Sequence, residues 1–247
     1  MNCLRLVFLH SWFLTLELLR QPMYVITTVV FPSMFFWFFA APNAKDEPSA
    51  LMMAGSFCAF AVLGVVVFQF AVGIAQERLT PWAQYLRVLP APTWVPFVAR
   101  LVAGLVFAVF AVAGVITIAF WTTPFDLERE FWLPFISRLF LTGIPFGALG
   151  IFLGYAVTPG SALPVANLVH LPLSFAGGLW LPPNALPQVV QDISPYLPTR
   201  MYGELIWSCL LQTELEQKYL WGLIGYGAVF FLLAFVWYLR AEAERYG

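Results

Sequence analysis

Charge is what this sequence has least of. Lys, Arg, Asp and Glu make up 10% of its 247 residues, against about 25% in soluble domains. That leaves no room for a separate soluble catalytic domain. Lysine occurs only as Lys45 and Lys218, and no G-x-x-x-x-G-K-[ST] is present, so a P-loop nucleotide site is excluded. His10 and His170 are the only histidines and lie on different elements; neither H-E-x-x-H nor G-x-S-x-G occurs. Cys3, Cys58 and Cys209 are odd in number and scattered, with no C-x-x-C, which argues against a disulfide framework or a zinc site. A net charge of −1 offers nothing to a polyphosphate backbone. Paired carboxylates such as Asp46/Glu47 and Glu214/Glu216 lie in loops, where solvated surface is the default reading.

Long apolar runs fill the space that charge leaves. Hydrophobic residues make up 61% of the chain. Leu139–Gln191 is 53 residues without a charge, and Gln21–Ala44, Pro48–Gln76, Leu101–Phe125 and Tyr219–Leu239 run for 24, 29, 25 and 21 residues. At 1.5 Å per residue, roughly 20 apolar residues cross a hydrocarbon core of about 30 Å. The shorter runs each suffice for one crossing and the long run for two, divided by a turn at Thr158-Pro159-Gly160. The sequence therefore predicts an all-α polytopic membrane protein forming one transmembrane domain over residues 1–247, with six spans near 22–41, 50–75, 97–121, 135–157, 161–181 and 219–239. The first run lacks a small-residue cleavage site and reads as a retained span.

Residues 2–20 read as a helix preceding the first span. Asn2, Arg5, His10, Glu17 and Arg20 fall within about 140° at 100° per residue, interrupted by Leu9, Phe13 and Leu16. An interfacial helix lying along the membrane fits this pattern; an extension of the first span is the alternative. The 182–218 connection is too long to be structureless. It holds Pro182, Pro183, Pro187, Pro195 and Pro198. Short helices are expected at 184–193 and 199–211, capped by Asn184 and Thr199, with Trp180 and Trp207 in an aromatic belt. Lys and Arg are slightly richer at the two ends and in the second loop (Arg5, Arg20, Arg78, Arg87, Arg100, Arg240, Arg245) than on the other side (Lys45, Arg129, Arg138, Arg200, Lys218). The positive-inside rule then places both termini in the cytoplasm.

Within the spans there are few ionisable groups, Arg138 and His170 among them. A proton- or ion-coupled carrier would place acids at mid-membrane, so their absence counts against one. On the fifth span Asn167, His170 and Ser174 share a face. Together with Gln69 of the second span they are candidates for lining a translocation path, the alternative being hydrogen bonds between packed helices. Gly143, Gly147, Gly150 and Gly154 make one bare stripe on the fourth span, suited to close helix packing within the chain or to a dimer seam.

The sharpest local signal is residues 77–90, Glu77-Arg78-Leu79-Thr80-Pro81-Trp82-Ala83-Gln84-Tyr85-Leu86-Arg87-Val88-Leu89-Pro90. Thr80 can cap a helix and Pro81 suits its first turn. Trp82, Tyr85, Leu86 and Leu89 then fall on one face. Such a helix either packs on the membrane surface or docks into another protein.

These features resemble the permease subunits of ABC-2-type transporters over essentially the whole chain. The loop "QERLTPWAQYLRVLPAPTW" is similar to the family's E-R-x(n)-P loop. The stretch "GGLWLPPNALPQVVQDISPYLPTRMYGEL" is similar to its extracellular G-x-x-x-P…L-P…P region. One departure is Thr80-Pro81, where the family commonly has small or glycine residues. The resemblance implies that Glu77, Arg78, Trp82, Tyr85, Leu86, Arg87 and Leu89 form a coupling helix contacting an ATPase. It also implies that Gly178, Pro182, Leu186, Pro187 and Pro198 belong to short re-entrant helices outside. It further implies two permease copies, identical or related, with two separate ATPase subunits. ATP and Mg would sit on those partners and no cofactor on this chain. The export of a hydrophobic or amphipathic substrate (drug, lipid or natural product) out of the cytoplasm across the plasma (inner) membrane would follow. A membrane-embedded lipid-modifying enzyme and an ion-coupled carrier are the competing readings.

Overall fold

The structure, a computed structural model, describes residues 3–78, 80–81 and 94–243. Those residues are helical and contain no strand. The chain runs through α1 (Cys3–Leu19), α2 (Pro22–Asn43), α3 (Glu47–Glu77), α4 (Val95–Thr122), α5 (Trp132–Leu141), α6 (Ile144–Ala156), α7 (Pro159–Ala176), α8 (Gln188–Ile193), α9 (Pro198–Leu210) and α10 (Gln217–Ala243). Five helical stretches are long and apolar enough to cross a membrane: α2, α3, α4, the α5–α6 stretch from Arg129 to Ala156, and α10. The expected fifth span, α7, is shorter at 18 residues and carries Asn167 and His170 as well as Pro164 and Pro172 inside the helix. It falls outside that set.

α3 is the axis of the bundle. Of its apolar window 78% is buried, against 11% for α10; α4, α6, α7 and α9 all pack on α3, while α10 lies outside against α6 and α9. Asp46 starts α3 with a capping box. Its carboxylate accepts from the Ser49 N–H (2.9 Å) and its own N–H donates to Ser49 Oγ (3.3 Å), satisfying donors that every helix start leaves open.

Lipid tails are as apolar as leucine, so close packing and hydrogen bonds hold such helices together. The glycine stripe supplies the first. A side chain at Gly150 would meet Phe70 Cβ at 2.9 Å and the Val67 carbonyl at 3.1 Å; one at Gly154 would meet Ile74 Cβ and the Phe70 carbonyl, both at 2.8 Å. Gly143 and Gly147 face Val62 and Val66 in the same way. Of the two roles open to this stripe, intrachain packing on α3 is the one the structure adopts.

Proline sets the departures from regular spans. The N-terminal helix ends at Leu19, and Gln21 is extended (φ −97°, ψ 92°), as the residue before a proline is driven to be. α1 is therefore a separate helix packed along α4 and not an extension of the first span. Within α2 two turns, Ile26–Val30 and Phe36–Ala40, are π-helical. Each contains the residue four before a proline, Thr28 before Pro32 and Phe38 before Pro42. A proline ring clashes with that carbonyl in a regular helix, and a wider turn gives it room. The expected fourth span 135–157 is divided into α5 and α6 at Thr142-Gly143, one residue short of Pro145. The turn expected at 158–160 is only Val157-Thr158, since Pro159 already opens α7.

Candidate functional site

α3 ends at Glu77, and its last residues are bound on two flanks. Arg100, five residues into α4, is 5% exposed. A buried guanidinium requires both charge pairing and hydrogen bonds, and it has them here. Its Nη1 donates to the Gln69 carbonyl (2.9 Å) and its Nη2 forms an ion pair with Glu77 Oε2. Gly73 makes this fit possible, because a Cβ there would collide with the Arg100 guanidinium. On the other flank Arg78 donates from Nη1 to the Tyr155 carbonyl and from Nη2 to the Val157 carbonyl, each at 2.6 Å. Those carbonyls lie at and just beyond the end of α6, where a helix leaves its last acceptors open and a cation is favoured by the helix dipole. Two consecutive residues thus tie α3 to α4 and to α6.

The network continues inward. The Gln69 side chain, 2% exposed, accepts from the Tyr24 hydroxyl (2.5 Å), and the Tyr24 ring stands edge-on to Phe107 of α4 (5.0 Å). Gln69, one of the residues expected on a translocation path, joins α2, α3 and α4. Trp82, Tyr85, Leu86, Arg87 and Leu89 lie outside the described residues.

His170 and Ser174 pack against neighbouring helices. The His170 ring stacks on Phe60 (4.7 Å, 18°) and stands edge-on to Phe68 (5.4 Å). Its Nε2 lies 3.4 Å from the Phe60 carbonyl, and its Cε1 closes over Gly64. Ser174 is fully buried. Asn167 is half-buried and its amide donates to the Leu163 carbonyl (3.2 Å). Of the shared face, His170 and Ser174 are thus buried and Asn167 half-buried.

The stretch after α7 turns at Gly178 (φ +81°), a backbone region favouring glycine. Pro182 precedes the short 3₁₀ turn Pro183–Ala185, Pro187 precedes α8, and Pro198 is the first residue of α9. Both expected short helices exist. Their flanking residues are Pro187 and Leu197 rather than Asn184 and Thr199, and neither makes a side-chain cap. The Thr199 hydroxyl is committed elsewhere, to the Leu173 carbonyl of α7 (2.5 Å). α9 is buried along most of its length among α3, α5, α7 and α10. Trp207 is 4% exposed and donates to Ser56 Oγ (2.8 Å), so it is an interior anchor and not part of an aromatic belt. Arg138 donates to Ser208 Oγ (3.3 Å).

Sequence reading assigned Arg100 only to the border of a loop, and gave Gly73 and Tyr24 no role. A signal was present, since a cation opening a 25-residue charge-free run needs a partner once its helix is buried.

Apolar helices around a buried central helix, with charge gathered at the helix ends, define a multi-pass membrane protein. The chain belongs to the ABC-2 type transporter family, whose sequence pattern matches residues 5–211. It is also 24% identical over 234 residues to the "Putative transport permease YvfS" of Bacillus subtilis (strain 168), covering 92% of this chain and 94% of that protein. It is accordingly a transport permease.

Proposed function

We propose that this chain is the membrane subunit of an ATP-driven exporter that moves a hydrophobic or amphipathic substrate out of the cytoplasm. Two copies pair, each served by a separate ATPase that carries ATP and Mg. In this reading residues 1–247 form one transmembrane domain in the plasma membrane, α7 completes six spans, α1 lies at the inner interface, and both termini are cytoplasmic. The exposed Leu4, Phe8, Trp12 and Phe13 of α1 suit contact with acyl chains. Re-entrant α8 and α9 then lie on the outer side, with Gly178, Pro182, Pro187 and Pro198 at their turns. Burial of α9 against the spans supports this, because irregular backbone at membrane depth must be sheltered by protein. His170 and Ser174 would meet a substrate only if α7 separated from α3.

The observation that carries the reading is the pair Glu77-Arg78. It fastens the start of the 78–94 loop to α4 and α6, as a segment receiving force from a partner requires. We propose that Trp82, Tyr85, Leu86 and Leu89 are the docking face and that Arg87 flanks it. Aromatic anchors dominate such interfaces, at roughly 2 kcal/mol or more each when buried. Co-expression with a candidate ABC ATPase from the same genome tests it. Tyr85→Ala with Leu86→Ala should dissociate the ATPase, or uncouple its hydrolysis from transport, while the permease still inserts. Unchanged co-purification and coupling would defeat the proposal. Topology is tested on a background lacking Cys3, Cys58 and Cys209. A cysteine at Glu214 should react with an impermeant thiol reagent in intact cells and one at Gln84 should not.

A further inference from the structure

Arg100 closes the base of the 78–94 loop. Glu77 is the last residue of α3, where the chain enters the loop, and Arg100 stands just inside α4, where it leaves. Their ion pair joins two stems that lie 23 residues apart in sequence. The buried end of the guanidinium is fixed at two further points, the Gln69 carbonyl and the notch at Gly73. A fork-shaped cation can hold a carbonyl and a carboxylate at once; a lysine, with a single nitrogen, holds this geometry poorly. Arg78, next in the chain, grips the end of α6.

We infer that Arg100, seated over Gly73, is a positioning residue that makes the loop base rigid, so that force on the loop moves α3, α4 and α6 together. Without this clamp the stems could part locally and absorb the displacement before it reached the spans. Tyr24 extends the clamp to α2 through Gln69, which places four helices in one hydrogen-bonded connection. The inference rests on the proposed docking of an ATPase at this loop.

The test uses the complex of this chain with its co-expressed ATPase in lipid nanodiscs. Spin labels at Gln76 and Trp94 read the separation of the stems, and in separate samples a cysteine at Glu47, at the far end of α3, reads transmission by its labelling rate with an impermeant maleimide. Both are measured with and without Mg-ATP plus vanadate, on a background lacking the native cysteines. In the native complex the stem separation should stay narrow and the Glu47 site should change its labelling rate on trapping. Arg100→Met removes the clamp. Gly73→Ala keeps the charge and displaces the guanidinium, which guards against a folding defect in the first variant. Both should still co-purify with the ATPase, broaden the stem separation, and lose the trapping response at Glu47. Retention of that response in either folded variant overturns the inference while leaving ATPase docking intact. A native complex that does not assemble, or that shows no trapping response, defeats the docking reading and this inference with it.

Discussion

The Tyr202 hydroxyl in α9 donates to the Leu139 carbonyl in α5 at 2.7 Å, 63 residues away in sequence. Leu139 is one of the last four residues of α5, whose carbonyls have no acceptor-to-donor partner within the helix. The break before Pro145 creates that need, and α9 meets it from outside the span. Arg138 reaches the same helix, at the Leu205 carbonyl (3.4 Å) and Ser208 Oγ. The interruption of the fourth span and the burial of α9 are two halves of one arrangement.

Tyr202→Phe should therefore destabilise the protein although it keeps the ring. Hydrogen bonds between membrane helices are worth about 0.6 kcal/mol on average and up to about 1.7, and leaving a buried carbonyl unpaired places this one toward the upper value. Thermal unfolding in detergent micelles should show a lowered midpoint. Trp207→Phe, which removes the bond to Ser56, should act in the same direction and nearly add to it, because the two bonds have no partner in common.

The glycine stripe makes a contrasting pair of predictions. Gly154→Val would drive side-chain carbon into the Phe70 carbonyl and Ile74. Backbone cannot yield as a flexible side chain does, so a loss of about 1–3 kcal/mol is expected from overpacking. Gly225→Ala meets nothing within 4 Å and should leave the melting temperature unchanged or raise it slightly, since alanine favours the helix. Equal behaviour of the two variants in a melting experiment would contradict the packing of α6 on α3.

Asp46 predicts a pH dependence. Hydrogen bonds from the Ser49 hydroxyl and backbone hold its carboxyl below the usual range. A depressed folded value means that the carboxylate stabilises the fold above the unfolded value, about 3.9. That contribution is lost as pH falls through the folded value. Asp46→Asn keeps a capping side chain but not the charge. The native protein should be the more stable at pH 7, and the difference should shrink on acidification to about pH 3, read as the gap between the two melting temperatures.

The sequence by itself determined the solvent. Its charge-free runs are long enough to cross a bilayer, and that fixed the all-helical class and most of the long helices. It also fixed the bare face of α6, because glycine at helical spacing removes side chains whatever the partner. The helices hidden in the 182–218 connection were legible from its prolines and length. What the sequence could not determine is which partner each polar group would find. Nothing local says that Trp207 reaches Ser56 instead of a membrane interface, that His170 stacks on Phe60, or that Thr199 bonds to Leu173 and not to its own helix start. Arg100 reads as a loop-border charge until α3 and α4 are side by side and Gly73 opens a place for it. Hydropathy is a sum over neighbours in sequence, whereas a buried hydrogen bond depends on groups brought together from distant helices, so only the packed bundle decided where the charge at the loop base would lie.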